Sequence, residues 1–392
     1  MKILFTHRYF WPDTPPYAAM LRTIAEYLAR EGHDVHLFAS QPSYGLVEKA
    51  ARIEELNGVH IHRIGVLRES KKNPFARAFN VLVYCIGLFY HIIRKRPDVV
   101  TAATFPPIAA GWTASLAAGL VGAKFVYHMQ DVHPEVSKYA GGRLGRGFLL
   151  RFLVWLDNQT LRRAAAIIVL SQDMANTLTL RDVGKTFPIQ IINNFQLRSF
   201  SAEQEPPQEL KKPANKRRII FAGNLGKFQN LELLTDGIAL CFGNHPDLEL
   251  LLLGDGEMKF ALEQKWGLHP QVQFGPFLPF VQAEKLIRAS DVGLVSLSPD
   301  IYNVSYPSKV LTYLGLGIPM LALVEPHSAL AKEILDNGLG VVPDAATPQA
   351  IASALEALLF QRDTKESVVK YHQEKTRMEV VLQQWQGMLH SL

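Results

Sequence analysis

Short apolar segments alternate with longer amphipathic segments along most of the chain. Lys2–Phe5 is a short apolar run typical of a buried strand, and in Ala18–Arg30 the apolar residues recur at helical spacing on one face. Gly32 ends that helix, and Val35–Ala39 is the next strand. This rhythm predicts a parallel sheet covered by helices on both faces.

The rhythm is interrupted once, at residues 201–217, and then restarts. That stretch contains three prolines and no apolar periodicity, which is typical of a linker between domains. The sequence therefore predicts two doubly wound α/β domains, over 1–200 and 218–371, with the C-terminal helix 372–392 completing the first. The remaining predicted strands are His60–Ile64, Val99–Ala103, Lys124–His128, Ile167–Leu170, Ile189–Ile192, Arg218–Ala222, Leu248–Leu253, Val272–Phe274, Val292–Ser296, Pro319–Leu323 and Gly340–Val342.

Two apolar stretches require comparison with membrane spans. Thr101–Ala123 carries no charge, but two prolines and three glycines divide it, so it is predicted to be a strand, a turn and a buried helix. Phe75–Ile93 is strongly apolar but contains an arginine, an asparagine and a histidine, and basic clusters at 71–72 and 94–96 bracket it. An interfacial helix and an ordinary buried helix both fit this pattern.

The composition is that of a globular protein, since 48% of the 392 residues are hydrophobic and 20% are charged. The two cysteines, Cys85 and Cys241, exclude a disulfide scaffold and fit a reducing compartment. The first residues lack the apolar core of a secretory signal, so a cytoplasmic location is expected.

Charge is divided unevenly between the two halves. Residues 1–200 carry 24 Lys and Arg against 14 Asp and Glu, a net +10, and residues 201–392 carry 17 against 22, a net −5. The basic half is expected to face either an anionic membrane or a nucleic acid.

Several common sites are absent from the sequence. The turn from His7 to Ala18, after the first predicted strand, contains no glycine, and Gly254-Asp255-Gly256 lacks the third glycine of a dinucleotide fingerprint. There is no Walker loop, HExxH motif or serine elbow, and the histidines do not have the spacing of metal ligands. A nicotinamide enzyme and an NTPase are therefore not expected.

Three loops of the second domain have the residues for binding phosphate through backbone amides. Phe221–Lys227 joins the first strand of that domain to a helix, and its glycines let the backbone approach an anion; a tight turn is the alternative role. Leu253–Gly256 closes a second strand toward the same edge. Ser305–Leu311 runs into a helix with Lys309 in its first turn. Three such loops at one sheet edge predict a site for a nucleotide diphosphate.

Further motifs point to one family. They are Tyr9-Phe10-Trp11-Pro12, Gly32-His33-Asp34-Val35, Arg96-Pro97-Asp98-Val99-Val100, Gln130-Asp131-Val132-His133-Pro134-Glu135, Gly223-Asn224-Leu225-Gly226, Pro307-Ser308-Lys309 and Tyr313–Pro319. With these motifs the chain resembles, over nearly its whole length, the family-4 retaining glycosyltransferases. It looks most like their bacterial colanic-acid and fucosaminyl transferase branch. The fold implied is GT-B, with two facing Rossmann-like, doubly wound parallel-sheet domains and an active site in the cleft between them.

The resemblance implies transfer of a sugar, with retention of configuration, from a UDP- or GDP-sugar to a lipid-linked sugar in the synthesis of an exopolysaccharide, O-antigen or lipopolysaccharide. The implied partners are the nucleotide-sugar, a polyprenyl-diphosphate-linked sugar and the anionic inner face of the cytoplasmic membrane, with no nucleic acid, metal or other cofactor. The donor is expected against the second domain. The donor-binding residues expected are Gly223, Asn224, Gly226, Lys227, Gly254, Asp255, Gly256, Tyr306, Ser308, Lys309 and Thr312.

The first domain is expected to take the acceptor, with Pro16 and Tyr17 on the acceptor side. Asp131 is expected to position the acceptor hydroxyl or the sugar ring, with His128 and His133 as alternatives. A helix cap is the competing structural role for Asp131.

The chain departs from the family pattern at several positions. The usual arginine and lysine after the first strand of the second domain fall on Asn224 and Gln229, so the diphosphate is expected to depend on other lysines and on backbone amides. The usual pair of glutamates falls on Val304 and Thr312, and threonine offers a ribose hydroxyl only a neutral partner. Residues 15–17 replace a glycine pair, and Gln130 replaces a histidine.

Two other functions remain compatible with the sequence. One is a nucleotide-sugar epimerase or phosphorylase of the same architecture, since a fold does not fix a function. The other is a non-catalytic, membrane-associated nucleotide-sugar binder, which the missing glutamates leave open.

Overall fold

The computed structural model of the chain describes residues 1–13, 16–42, 49–67, 74–139, 147–181, 187–197, 204–361 and 363–392. These residues form two compact units. Unit 1 comprises Met1–Asn193, Asn303–Tyr306 and Val381–Leu392, and unit 2 comprises Asn194–Tyr302 and Pro307–Val380.

Unit 1 is an α/β unit whose strands and helices alternate as the sequence predicts. Its strands are β1 (Lys2–Thr6), β2 (Asp34–Ser40), β3 (Ile53–Leu56), β4 (Val59–Ile64), β5 (Val99–Ala103), β6 (Lys124–His128), β7 (Ala166–Val169) and β8 (Ile189–Ile191). Its helices are α1 (Pro16–Arg30), α2 (Pro74–Lys95), α3 (Ala109–Val121), α4 (Val136–Tyr139), α5 (Gly147–Arg163) and α6 (Gln172–Thr179). The described strands form one sheet in the order β3-β4-β2-β1-β5-β6-β7-β8.

The sheet of unit 1 differs from the wholly parallel prediction at one edge. Strand β3 is not among the predicted strands; it pairs antiparallel with β4 through a hairpin, whereas the other described pairs are parallel. The turn is Asn57-Gly58, with φ of 48° and 81°. Asn-Gly is the dipeptide that a two-residue hairpin favours, because both residues adopt positive φ readily.

Unit 2 is a second α/β unit with a wholly parallel sheet among its described strands. The strands are β9 (Arg217–Ala222), β10 (Leu248–Leu253), β11 (Val272–Gly275), β12 (Val292–Ser296), β13 (Met320–Leu323) and β14 (Gly340–Val341), in the order β11-β10-β9-β12-β13-β14. The helices are α7 (Leu231–Ala239), α8 (Lys259–Trp266), α9 (Phe280–Arg288), α10 (Ser308–Leu316), α11 (Ala329–Asp336), α12 (Pro348–Phe360) and α13 (Thr364–Tyr371). The central strands are almost continuously apolar and buried, as expected for strands covered on both faces.

The unit boundaries differ in detail from the predicted domains. Residues 204–217 of the predicted linker belong to unit 2, where Leu210 is buried and its carbonyl oxygen accepts a hydrogen bond from Arg218 over 2.6 Å. Helix α14 (Met378–His390) ends the chain, and residues 381–392 belong to unit 1. Trp385 explains this placement, because its side chain is fully buried against Phe5 and His128.

The two apolar stretches adopt different structures. Thr101–Ala123 is the predicted strand, turn and buried helix, as β5 and α3. Among the described helices, α2 alone is long and apolar enough to cross a bilayer, by length and composition. One side of α2 packs into unit 1 through Tyr84, Leu88 and Ile92, and the other side is exposed. The helix is therefore buried on one face and open on the other, and the interfacial alternative stays a prediction.

Candidate active site

Two of the predicted glycine loops pack against each other at the carboxyl edge of the unit 2 sheet. They follow β9 and β10, next to the point where the strand order changes direction between β9 and β12. Leu225 N donates a hydrogen bond to Asp255 O over 2.8 Å. Gly254 has φ of 147°, and a Cβ added to it would lie 1.8 Å from Gly223 O. A Cβ on Gly256 would lie 2.5 Å from Leu225 O. Only glycine allows this approach of the two backbones.

Lys309 lies against the first of these loops. Its Nζ is 4.3 Å from the centre of the Phe221 ring, and a Cβ added to Gly223 would lie 3.2 Å from Nζ. Burial lowers the pKa of Lys309 to about 8. No described residue gives the ammonium a hydrogen-bond or ion-pair partner. A partly buried cation without a counter-ion is costly, so the arrangement suits a bound anion.

The other polar side chains of these loops have different surroundings. Lys227 is exposed and forms an ion pair with Glu257 over 3.0 Å. Gln229 Oε1 accepts a hydrogen bond from Gly226 N over 3.0 Å, and Asp255 Oδ1 accepts one from Gly256 N over 2.8 Å. The Gln229 and Asp255 side chains therefore hold the loop backbones in place. Asn224 is exposed at the tip of the first loop.

The third predicted loop is shared between the two units. Tyr306 is buried and belongs to unit 1, whereas Pro307 and α10 belong to unit 2. Helix α10 begins at Ser308 without a side-chain cap, so the amides of its first turn carry the partial positive charge of an open helix N-terminus. Thr312 lies one turn further along α10 and is half-buried.

Replacing Gly254 by alanine is expected to lower the free energy of unfolding by about 3 kcal/mol or more, because the methyl group meets a backbone oxygen and φ becomes strained. Urea unfolding measures the loss. Gly243→Ala is the control in the same unit, since no atom lies within 4 Å of its Cβ, and we expect a change below about 0.5 kcal/mol. Equal stability of the two variants would contradict the packing of the loops.

In unit 1, His128 and Tyr17 lie together at the carboxyl edge of the sheet. His128 Nδ1 is 2.9 Å from the Tyr17 hydroxyl oxygen, and Nε2 is 2.8 Å from the side-chain amide nitrogen of Gln130. An amide nitrogen only donates, so Nε2 accepts and the neutral ring donates from Nδ1 to Tyr17. Burial lowers the pKa of His128 to about 3, and His7 adds to the shift. His128 is therefore neutral at physiological pH, with both nitrogens engaged.

The structure describes only part of the other residues predicted on the acceptor side. Pro16 is the first residue of α1, and its side chain lies outside the described residues, as does Pro15. The His7 ring stacks edge-on against Tyr17 at 4.7 Å between ring centres. Burial lowers the pKa of His7 to about 4. His7, Tyr17 and His128 thus form a cluster of neutral rings at this edge of the sheet.

Asp131 follows β6 in a segment that pairs with part of the third loop. Its backbone forms an antiparallel bridge with Ser305, and Val132 N donates to Val304 O over 2.8 Å. No described group donates a hydrogen bond to the Asp131 carboxylate. The competing role as a helix cap is wrong, because α4 begins only at Val136. Burial lowers the pKa of the neighbouring His133, and the charge of Asp131 opposes that shift.

Arg181, a residue outside the predicted set, fixes the segment after β6. Its guanidinium donates to both carboxylate oxygens of Glu135 over 2.9 and 2.6 Å, and to the His133 carbonyl oxygen over 2.6 Å. It also donates to Asp157 over 2.5 Å, and Tyr127 donates to the other Asp157 oxygen. Burial raises the pKa of Asp157, and Arg181 opposes that shift. The network ties this segment to α5 and to the end of α6.

Arg181→Met is expected to lower the free energy of unfolding by about 3–5 kcal/mol, because it leaves the buried Asp157 carboxylate and the partly buried Glu135 carboxylate without their cation. Chemical denaturation measures the loss. Arg217→Met is the matched control, because Arg217 also forms a 2.5 Å ion pair, in this case with Asp247. The side chains of that pair are 36% and 41% exposed, whereas those of Arg181 and Asp157 are 5% and 0% exposed. We expect the control to lose less than about 1 kcal/mol. Similar losses in both variants would contradict the anchoring role of Arg181.

Two family models match the chain, one in each half. Residues 17–193 match the glycosyl transferase 4-like domain, and residues 202–375 match the glycosyl transferases group 1 domain. The chain belongs to the family-4 glycosyltransferases. The match confirms the predicted family and enzyme class, and it favours a transferase over an epimerase, a phosphorylase or a non-catalytic binder.

Relatives and solved structures agree with this family. The chain is 23% identical over 398 residues, 96% of each chain, to Escherichia coli K12 WcaI, named as a glycosyl transferase of colanic acid biosynthesis. It is 25% identical over 292 residues to Pseudomonas aeruginosa WbjE, named as a glycosyltransferase, covering 72% of this chain and 71% of that one. The structure of Anabaena HepE in complex with UDP matches all of both chains with a TM-score of 0.66 and 17% identity. The chain is thus a GT-B glycosyltransferase of polysaccharide biosynthesis.

Proposed function

We propose that this glycosyltransferase uses a nucleotide-diphosphate sugar, with UDP or GDP as the nucleotide, and that unit 2 binds the diphosphate. The Lys309 ammonium carries the proposal, because it lies partly buried against Phe221 and Gly223 and no described residue neutralises it. The open N-terminus of α10 and the paired glycine loops supply amides at the same sheet edge. The UDP in the similar HepE structure supports a nucleotide donor.

In the proposed reaction, the bond between the anomeric carbon and the diphosphate breaks, a bond to the acceptor hydroxyl oxygen forms, and the hydroxyl proton passes to the leaving diphosphate. Negative charge collects on the leaving diphosphate, where Lys309 and the α10 amides stabilise it. Lys309 and the α10 amides supply the positive charge that would otherwise come from a metal ion, so the proposal includes no metal ion or other cofactor. Asp131 is available to hold the acceptor hydroxyl or the sugar ring. Retention of configuration rests on the family resemblance.

The proposed acceptor is a sugar linked to polyprenyl diphosphate, and the proposed location is the cytoplasmic face of the inner membrane. The net charge of +10 on residues 1–200 and the exposed apolar side of α2 support this location. The basic cluster at 94–96 is exposed at the end of α2, whereas the cluster at 71–72 lies outside the described residues.

A thermal-shift screen of UDP-, GDP- and dTDP-sugars tests the donor, and incubation with a lipid extract tests the acceptor. We expect one nucleotide series to raise the Tm, and sugar to move to lipid only when donor and extract are both present. NMR of the product's anomeric proton checks retention. Turnover of the nucleotide-sugar without any acceptor would instead indicate an epimerase, and a shift without transfer would indicate a binder.

A further inference from the structure

Helix α2 presents a continuous apolar stripe to solvent. The exposed residues Phe75, Phe79, Leu82, Ile86 and Tyr90 recur at spacings of three and four, so they lie on one side of the helix. Phe75 is 85% exposed. The opposite side packs into unit 1, so the exposed stripe does not contribute to the hydrophobic core.

The apolar surface continues onto α3 and α5. Helix α3 packs between α2 and α5, and its Leu120 is exposed. On α5, Phe148, Phe152 and Trp155 form a second stripe, with Phe148 84% exposed. A pocket of about 490 Å³ opens between α3 and α5, and its lining is Trp112, Phe152, Trp155, Leu156, Gln159 and Arg163. Apolar patches of this extent mark interaction sites on soluble proteins.

The charges on these three helices have a single sign at the surface. Their sequences contain six basic residues and one acid, Asp157, which is buried and paired with Arg181. All six basic residues are exposed, and they are Arg77, Arg94, Lys95, Arg151, Arg162 and Arg163. A second copy of the chain, docked by the same surface, would bring like charges together. An anionic surface is complementary to this one.

We propose that the outward side of α2, α3 and α5, here called the docking face, binds an anionic lipid bilayer, with the α5 aromatic side chains inserted among the lipid chains. This assignment rests on the proposed function, in which the acceptor is held in a membrane, and it identifies the surface that contacts that membrane. Aromatic and aliphatic side chains enter the boundary between headgroups and chains, and the arginines pair with the lipid phosphates. A lipid chain would occupy the pocket between α3 and α5 and contact Trp155.

The test is co-flotation of the full-length protein with vesicles of phosphatidylcholine and phosphatidylglycerol. The α5 variant combines Phe148→Ser, Phe152→Ser and Trp155→Ser, and the charge variant combines Arg94→Gln, Arg151→Gln and Arg163→Gln. We expect each to reduce vesicle affinity at least about tenfold. The matched control combines Leu240→Ser, Leu268→Ser and Phe360→Ser, three exposed apolar residues of unit 2, and it should float like the wild type.

A second measurement starts from the wild-type protein and needs only one conservative substitution. Lipids with brominated chains should quench the tryptophan fluorescence of the wild-type protein, and Trp155→Phe should remove much of the quenching. Flotation that is equal in the wild type and both variants, or absent in the wild type, would overturn the proposal. If the wild type is a dimer and the α5 variant is a monomer that still floats, the docking face binds a second copy of the chain and not the bilayer. The Tm shift with nucleotide-sugar reports separately on the proposed function, and it should be the same in every variant.

Discussion

Lys309→Ala is expected to lower the rate of sugar transfer by about 30- to 1,000-fold, which corresponds to ~2–4 kcal/mol of transition-state stabilisation. The reason is that this ammonium has no counter-ion among the described residues and lies beside the glycine loop at the sheet edge. Measuring kcat/KM for donor and acceptor tests the expectation. Lys265→Ala is the control, because Lys265 is an exposed lysine paired with Asp236 on the surface of the same unit.

The stability of the Lys309→Ala variant separates a binding role from a structural one. Folding lowers the pKa of Lys309 from 10.5 to about 8, so the unfolded chain binds more protons between these values. The charged lysine therefore costs stability below pH 8, and that cost disappears as the pH rises toward 10.5. Removing it should leave the Tm at pH 7 unchanged or higher. A rate equal to that of the wild type, or a large fall in Tm, would remove Lys309 from the donor site.

The same pKa sets the pH dependence of donor binding. An anionic diphosphate binds the protonated lysine, so the affinity for UDP or GDP should be constant below about pH 7 and fall toward tenfold per pH unit above pH 8. Isothermal titration across this range measures the trend. Lys309→Arg should flatten the curve, because arginine stays protonated throughout.

Asp131→Asn is expected to reduce transfer by about 100-fold or more, while the dissociation constant of the nucleotide changes less than about twofold. Asparagine keeps the size of the side chain and the backbone bridge to Ser305, so the variant loses the negative charge and one of the two acceptor oxygens. The two glycine loops and Lys309 belong to unit 2, whereas Asp131 belongs to unit 1. Single-turnover rates and nucleotide titration together measure the separation.

The control for this variant is Asp98→Asn. Asp98 precedes β5 at the opposite edge of the same sheet, where its carboxylate accepts a hydrogen bond from Lys2 N over 2.7 Å. We expect its transfer rate to match the wild type. Loss of nucleotide affinity in Asp131→Asn, with normal transfer from the donor that still binds, would assign Asp131 to the donor instead.

The fold and the glycine loops could be predicted because their signals are local. Apolar runs identify the buried strands, and parallel strands bring the loops after Ala222 and Leu253 to one edge whatever the details of packing. The sequence also indicates which residue types a phosphate site requires. It cannot show that Gly254 is required by the carbonyl oxygen of Gly223, since that contact exists only once both loops have formed.

The rest of the candidate site depends on contacts between distant residues. Arg181 reaches Glu135 from 46 positions away, and nothing in the surrounding sequence marks it. Trp385 lies in a C-terminal helix but stacks against His128. The pairing of Asp131 with Ser305 joins segments from the two halves of the chain, which no local pattern indicates. Burial then decides the charge states, as in the neutral His128.

The role of Lys309 in sugar transfer is tested most directly by following radiolabelled sugar from the nucleotide-sugar selected by thermal shift to lipid-linked acceptors. The wild type and Lys309→Ala are measured under the same conditions. We expect labelled lipid with the wild type and at least about 30-fold less with the variant. The variant should remain fully folded and bind the nucleotide more weakly. Equal labelling by the two proteins, or labelled lipid formed from a sugar monophosphate in place of the diphosphate, would contradict it.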